Sequence, residues 1–170
     1  MTLYLSPART IARWVIVALA VGVLLDSSAY VLAAGPFARL PGQWSGSGTI
    51  DLASGAQEPI KCRASYDALN DQTNLQLYIR CASDSYNFEL RGSANYANGS
   101  ISGTWNESTR NLAGTLSGKG EGDNFEVLAK GPSFTANLTL VTRGDRQLVV
   151  IKSQETSSGV KGVRITLRRS

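Results

Sequence analysis

Few side chains in this sequence have the types and spacing that enzymes use for catalysis. The 170 residues include no histidine, which excludes histidine-based triads, proton shuttles and histidine metal sites. The two cysteines are too few for a zinc site made of thiolates. No Gly-x-Ser-x-Gly sequence marks a nucleophilic serine. We therefore predict no catalytic residue, no metal and no cofactor, and we predict that the protein is not an enzyme.

Acidic residues and a glycine-rich segment are the remaining candidates for chemistry. Asp67 and Asp71 lie in or near a predicted turn, where acidic residues are common. Glu107 shares the inward parity of Trp105, so it is either buried or placed at a frayed strand end, and we favour the frayed end. Residues 117–122 lack the helix and the Gly-Lys-Ser/Thr ending of a phosphate-binding loop. For that segment we predict a mobile loop at a hairpin tip.

The N-terminus has the pattern of an export signal. Arg9 and Arg13 precede an uninterrupted apolar run from Trp14 to Leu25, and small residues follow Asp26. A basic start, a short apolar core and small residues near a cleavage site are typical of a secretory signal peptide. The run is short for a membrane span, which takes about 20 residues.

This pattern predicts the domain organisation and the location of the protein. We expect a signal peptide at residues 1–34 and a single all-β domain at residues 35–170. Cleavage is expected after Ala29, Ala33 or Ala34, and an uncleaved anchor is the alternative. The mature protein is predicted to be periplasmic or secreted, with no stable membrane span after cleavage.

The charge of the chain argues against one class of partner. The formal net charge of +4 is mild. The basic residues are scattered through the predicted strands, apart from Arg164, Arg168 and Arg169 near the C-terminus. A nucleic-acid-binding protein usually concentrates such residues in a patch. We therefore expect a solvated basic surface and no nucleic-acid partner.

Alternation of apolar and polar residues is the main structural signal after residue 34. The alternation is broken by turn residues at short intervals, and no segment keeps helical spacing for three turns. The pattern predicts an antiparallel up-and-down meander of about ten strands. Three predicted two-residue turns each set a register in which inward residues face one another. Asn98-Gly99 pairs Tyr96 with Ile101, Gly131-Pro132 pairs Val127 with Ala136 and Phe125 with Leu138, and Gly144-Asp145 pairs Leu140 with Val149.

The two cysteines provide a separate test of this strand pattern. A tight turn centred on Asp71 and Gln72 places Cys62 directly opposite Cys81, and both have inward parity. Cysteine pairs in exported proteins usually oxidise. We therefore predict a disulfide between Cys62 and Cys81 across neighbouring strands.

The strand edges must also be protected. Closure into a barrel removes the edges, and an even number of strands lets the first and last strands meet antiparallel. A two-sheet β-sandwich is the alternative fold. Gly46, Gly48, Gly103 and Gly114 have inward parity, so they either leave a cavity or let two sheets approach closely.

Two stretches of the sequence resemble known groups of proteins. Gly42-Gln43-Trp44 resembles the Gly-x-Trp of the calycins, the group of lipocalins, fatty-acid-binding proteins and avidins. In lipocalins a basic residue of the last strand packs across this tryptophan, which implies that role for Arg168 or Arg169. Ten strands are closer to the fatty-acid-binding shape. The segments 62–66 and 80–86 are similar to small exported bacterial proteins of unknown function, which implies localisation and fold.

We expect an exported binding protein that holds a small apolar or amphipathic ligand inside a calycin-like barrel. The expected ligand-binding residues are four inward aromatic side chains and one arginine of the last strand: Trp44, Tyr66, Tyr86, Trp105 and Arg169. The two tyrosine hydroxyls would orient the ligand. The alternative is a structural or protein-interaction module with a filled core. Such a module would contact another envelope protein through an outer strand face: Tyr78, Arg80 and Arg91.

Overall fold

The computed structural model describes residues 35–70, 72–155 and 159–170, which form ten β-strands and no helix. The strands are β1 (Gly42–Leu52), β2 (Gln57–Leu69), β3 (Asn74–Ala82), β4 (Asn87–Ala97), β5 (Ser100–Glu107), β6 (Leu112–Glu121), β7 (Asn124–Gly131), β8 (Phe134–Arg143), β9 (Arg146–Ser153) and β10 (Val160–Arg169). In this part of the chain no helix is present that could cross a membrane. The predicted signal peptide, residues 1–34, lies outside the described residues.

The ten strands form one closed barrel. Each strand pairs antiparallel with its neighbours in sequence, and β1 also pairs antiparallel with β10. Trp44 lies opposite Arg169 and Ile50 opposite Val163 in that closing pair. The predicted up-and-down barrel is therefore confirmed, and the two-sheet sandwich is excluded.

Two of the three predicted hairpin registers are confirmed. Asn98 and Gly99 have φ values of 50° and 82°, which a type I′ turn requires, and Tyr96 pairs with Ile101. The turn at Gly144 likewise pairs Leu140 with Val149.

The register predicted at Gly131-Pro132 is wrong by two residues. Val127 pairs with Leu138, and Gly131 stays in β7 opposite Phe134. The turn is therefore Pro132-Ser133, because the fixed φ of proline suits the first central position of a turn. An error of two residues keeps the inward faces together, so the hydrophobic pattern does not reveal it.

The predicted mobile loop at residues 117–122 is also wrong. Strand β6 continues to Glu121, and only Gly122 and Asp123 form the turn. A Cβ atom on Gly118 would lie 2.1 Å from the carbonyl oxygen of Glu126 in β7. Gly118 therefore lets β6 approach β7 closely, and Gly122 provides the positive φ of the turn.

The four inward glycines singled out in the sequence have the same role. A Cβ atom on any of them would lie between 1.9 and 2.0 Å from a backbone carbonyl oxygen of the adjacent strand: Gly46, Gly48, Gly103 and Gly114. The close approach is between neighbours in one sheet, so the expectation of two approaching sheets is corrected. Strands of a barrel must bend and coil to close, and glycine allows this where a side chain would block it.

A matched pair of glycine substitutions tests this role. Gly103→Ala should lower the free energy of unfolding by about 2–3 kcal/mol, because its Cβ meets the Ser93 carbonyl oxygen at 2.0 Å. Gly92→Ala should cost clearly less, because its nearest contacts are at 3.2 Å. Chemical denaturation measures both values, and equal losses would contradict the argument.

One end of the barrel is filled by the segment that precedes β1, and we call it the closed end. Phe37 and Leu40 are buried there, and the Phe37 ring centroid lies 5.5 Å from that of Phe125. The backbone N–H of Leu40 donates to the carbonyl oxygen of Phe37 at 3.0 Å, and the N–H of Phe37 donates to that of Gln72 at 3.2 Å. Sequence analysis missed both core residues because they lie outside any strand.

The predicted disulfide is confirmed. Cys62 and Cys81 are bonded, and they face each other directly in the pairing of β2 with β3. Both side chains point into the barrel and are buried.

Removing this bond should destabilise the barrel without changing its fold. The double variant Cys62→Ala/Cys81→Ala should lose about 3 kcal/mol of unfolding free energy, because the unfolded chain gains the entropy of an open loop. Denaturation of the wild-type protein with and without reductant gives a second measure of the same loss. A loss below about 1 kcal/mol in both measurements would contradict this account.

Candidate functional site

Trp44 and Arg169 join the first and last strands at the closed end. Trp44 is 1% exposed, and its indole N–H donates to the carbonyl oxygen of Leu40 at 2.8 Å. The Arg169 guanidinium lies 4.4 Å from the centroid of the Trp44 ring. The same guanidinium donates to the carbonyl oxygens of Arg39 and Pro41. Of the two arginines that the calycin resemblance allowed, Arg169 therefore packs across the tryptophan.

Tyr66 is buried beside this pair in a polar chain. Its hydroxyl donates to the side-chain oxygen of Gln147 at 2.9 Å, and the Gln147 amide donates to the Thr142 hydroxyl at 3.3 Å. Sequence analysis missed Gln147 and Thr142. The signal that could have identified them is a polar residue at an inward-facing position of a strand. Burial raises the pKa of Tyr66 above its ordinary value of 10.0.

Three of the five predicted ligand-binding residues thus lie together at the closed end: Trp44, Tyr66 and Arg169. The indole N–H of Trp44, the hydroxyl of Tyr66 and the guanidinium of Arg169 all bond to other parts of the protein. The sequence predicts that the Tyr66 hydroxyl orients a ligand, but this hydroxyl already donates its proton to Gln147. The geometry assigns these three residues to closing this end of the barrel.

The other two predicted residues lie near the opposite end, which we call the open end. Tyr86 precedes β4 instead of belonging to it, and its ring stacks on Phe88 with centroids 6.2 Å apart. Trp105 is 6% exposed and contacts Phe134 edge to face, with centroids 5.9 Å apart. Its indole nitrogen has no hydrogen-bond partner among the described residues. The five predicted residues therefore do not surround one space.

Glu107 is buried, so the prediction of a frayed strand end is wrong. Its carboxylate accepts backbone N–H bonds from Glu89, Thr109 and Arg110 at 2.8 to 3.1 Å. Burial opposes ionisation, but these hydrogen bonds outweigh it and lower the pKa of the Glu107 carboxyl. The residue fixes the turn after β5 to the start of β4. None of the described residues form a group of acidic or cysteine side chains that could hold a metal.

The inward apolar side chains differ in exposure along the barrel axis. Near the closed end Leu75, Ala94, Ile101 and Phe125 are at most 8% exposed. Further along the same wall, inward aliphatic side chains are only half-buried: Leu77, Ile79, Leu90, Leu116, Val127, Leu138 and Ile151. The buried core therefore covers this part of the inner wall less completely than it covers the closed end.

The half-buried inward side chains are unevenly distributed among the strands. On the wall formed by β10, β1 and β2, the inward residues Ile50, Ile60 and Val163 are buried even near the open end. The half-buried side chains belong to β3, β4 and β6 to β9. The least covered part of the inner wall is therefore formed by those strands, and its half-buried side chains are mostly aliphatic.

Two shallow grooves cross the outer face. One of about 830 Å³ lies over β2 to β6 beside Tyr78 and Arg91. There the Tyr78 hydroxyl donates to Glu89 at 2.8 Å, and the Arg91 guanidinium lies 4.6 Å from the Tyr78 ring centroid. The other, of about 590 Å³, lies over β1 to β3 and is bordered by Lys61 and Arg80.

Comparison with known proteins identifies the architecture. No protein-family model and no curated protein matches the sequence. Among solved structures, the M. tuberculosis protein Rv2717c is similar with a TM-score of 0.62 at 12% identity, over 78% of this chain and 93% of that one. An S-type phycobiliprotein lyase, CPES from Guillardia theta, is similar with a TM-score of 0.57 at 12% identity, over 79% of this chain and 90% of that one. The likeness is one of fold. In this protein that fold is a closed barrel of ten antiparallel strands.

Tyr66 provides a prediction that depends on pH. Below pH 10 Tyr66 is protonated in both states, but above it the unfolded chain ionises first, so stability falls as pH rises. Tyr66→Phe should remove this alkaline loss. At neutral pH the variant should lose about 1–3 kcal/mol, because buried Gln147 loses its donor. Denaturation at several pH values measures both effects.

The matched control for this prediction is Tyr96→Phe. The Tyr96 hydroxyl bonds to no described residue, so its removal should leave the stability at neutral pH nearly unchanged. An alkaline slope in Tyr66→Phe equal to that of the wild-type protein would refute the assignment.

Proposed function

We propose that this protein is a non-enzymatic binding protein that takes a small apolar or amphipathic ligand into its barrel through the open end. The half-buried inward side chains of β3, β4 and β6 to β9 carry the proposal. Small-molecule sites are concave and mostly apolar, with few polar groups. A ligand that covers these side chains gains about 25 cal/mol for each Å² of apolar surface removed from water.

The charge of the interior limits the ligand. Among the described inward residues of β3 to β9, Glu107 is the only charged one, and its carboxylate already accepts three backbone N–H bonds. A charged group moved into this space would lose its water without gaining a counter-charge. The buried part of the ligand is therefore neutral, and any charged head group stays at the open end.

The proposal of a non-enzymatic role rests on the available side chains. The sequence has no histidine. The Glu107 carboxylate serves as a turn anchor and is held ionised, so it does not act as a general acid. The likeness to a phycobiliprotein lyase, at 12% identity, supports the barrel and not that activity.

The proposed location is the periplasm or the exterior of the cell. The disulfide between Cys62 and Cys81 supports an oxidising compartment. The sequence pattern of residues 1–34 supports export. Both features are consistent with a carrier that works outside the cytoplasm.

Uptake of a neutral fluorescent probe tests the proposal. N-phenyl-1-naphthylamine should brighten on binding to the wild-type protein, since it enters an apolar space. Ala129→Phe adds a ring inside the barrel at a half-buried position of β7, and it should weaken probe affinity by roughly tenfold or more. Native mass spectrometry of the exported protein would identify a retained natural ligand.

The matched control is Ala113→Phe, which makes the same change on the outer face of β6. This variant should bind the probe as the wild-type protein does. Failure of the wild-type protein to bind the probe, or equal binding by Ala129→Phe, would overturn the proposal. That result would instead favour the envelope module with a filled core.

A further inference from the structure

The outer face of β1 to β3 gathers basic residues that looked scattered in the sequence. Lys61 and Arg63 of β2 and Arg80 of β3 border the groove of about 590 Å³. Ser45 and Ser47 of β1 border the same groove on the outer face of the barrel. We call this feature the basic groove.

The cations of the basic groove lack acidic partners. Arg63 lies directly opposite Arg80 in the strand pairing, an arrangement of like charges that costs stability. Both are exposed, as is Lys61, and among the described residues none of the three takes part in an ion pair. The cost is removed if an anion lies between them.

A carboxylate lies beside Arg80, but it already contacts two other side chains. Glu89 of β4 is the cross-strand neighbour of Arg80. Its Oε1 accepts the hydrogen bond of Tyr78 at 2.8 Å and lies 4.0 Å from the Arg91 guanidinium. Glu89 therefore forms its ion pair with Arg91 and not with Arg80, and Lys61 and Arg63 have no carboxylate directly opposite them in the strand pairing.

Two serine side chains of β1 supply hydroxyl donors to the basic groove. Ser45 lies opposite Arg63, and Ser47 lies opposite Lys61. The Ser45 hydroxyl also shares a hydrogen bond with that of Ser170 at 3.1 Å. On the other side of β1, Arg168 of β10 lies opposite Ser45 and extends the charge to a fourth strand. The row from Arg168 to Arg80 spans three strand spacings, or about 14 Å.

We propose that the basic groove binds the phosphate groups of anionic phospholipids and docks the barrel on a membrane surface. Guanidinium groups match phosphate oxygens in a two-bond geometry, and serine hydroxyls supply further donors. A row of this length contacts more than one phospholipid head group, whereas a single free phosphate ion would occupy only part of the row. The choice of a membrane as the source rests on the proposed function, because an apolar ligand is found in membranes.

Vesicle co-sedimentation tests this docking site. The wild-type protein should bind mixed phosphatidylcholine and phosphatidylglycerol vesicles and should not bind vesicles of phosphatidylcholine alone. The variant Lys61→Gln/Arg63→Gln/Arg80→Gln should bind the mixed vesicles roughly 100-fold more weakly, because each basic residue near an anionic surface contributes to affinity. Added salt should weaken wild-type binding.

The control variant removes the same charge from other strands. Lys119→Gln/Lys130→Gln/Lys152→Gln changes three exposed residues of β6, β7 and β9 that lie outside the row from Arg168 to Arg80, and it should bind the mixed vesicles as the wild-type protein does. Equal losses in both triple variants would show an effect of net charge alone and would overturn the site.

Two further measurements distinguish other anions and separate the two proposals. Release from vesicles by millimolar inorganic phosphate, or tighter binding of a single-stranded oligonucleotide through the same residues, would overturn the membrane assignment. The naphthylamine probe should bind the groove variant normally, since the interior is unchanged. Loss of probe uptake in the wild-type protein would therefore count against the carrier and not against the docking site.

Discussion

The pairing of β1 with β10 is the contact on which the rest of the barrel depends. Without it the sheet would have two exposed edges and no enclosed interior. The pairing needs Gly46 and Gly48, because any side chain at these positions would collide with the backbone of β10. Arg169, stacked on Trp44, holds the same two strands together at the closed end.

Closure also explains why the two ends of the barrel differ. At the closed end, Phe37 fills the space between the strands, and Tyr66 with Gln147 satisfies the polar groups that are buried there. Further from the closed end, several inward aliphatic side chains of β3, β4 and β6 to β9 are only half-buried. The same wall therefore combines a well-packed base with a less completely covered apolar inner face.

Local signals predicted most of the fold, whereas one turn register and several contacts between strands escaped the sequence. Asn98-Gly99 specifies its turn by backbone preference alone, and the disulfide follows from parity and spacing. Pro132 satisfies two alternative registers that share one hydrophobic pattern, so the sequence does not choose between them. The burial of Glu107 depends on backbone donors from Glu89, and the basic groove depends on the pairing of β1, β2 and β3. None of these is visible until the strands are paired.

The long separation between β1 and β10 has a consequence for how the chain folds. Ser45 of β1 and Ser170, which follows β10, share a hydrogen bond across 125 residues, whereas the nine other strand pairings join successive strands. Contacts between distant residues form slowly, because the entropy of closing a long loop is lost first. The hairpins can assemble early, but both sheet edges stay open until the last strand arrives. The time between those events is when the nascent sheet is most exposed to pairing with another chain.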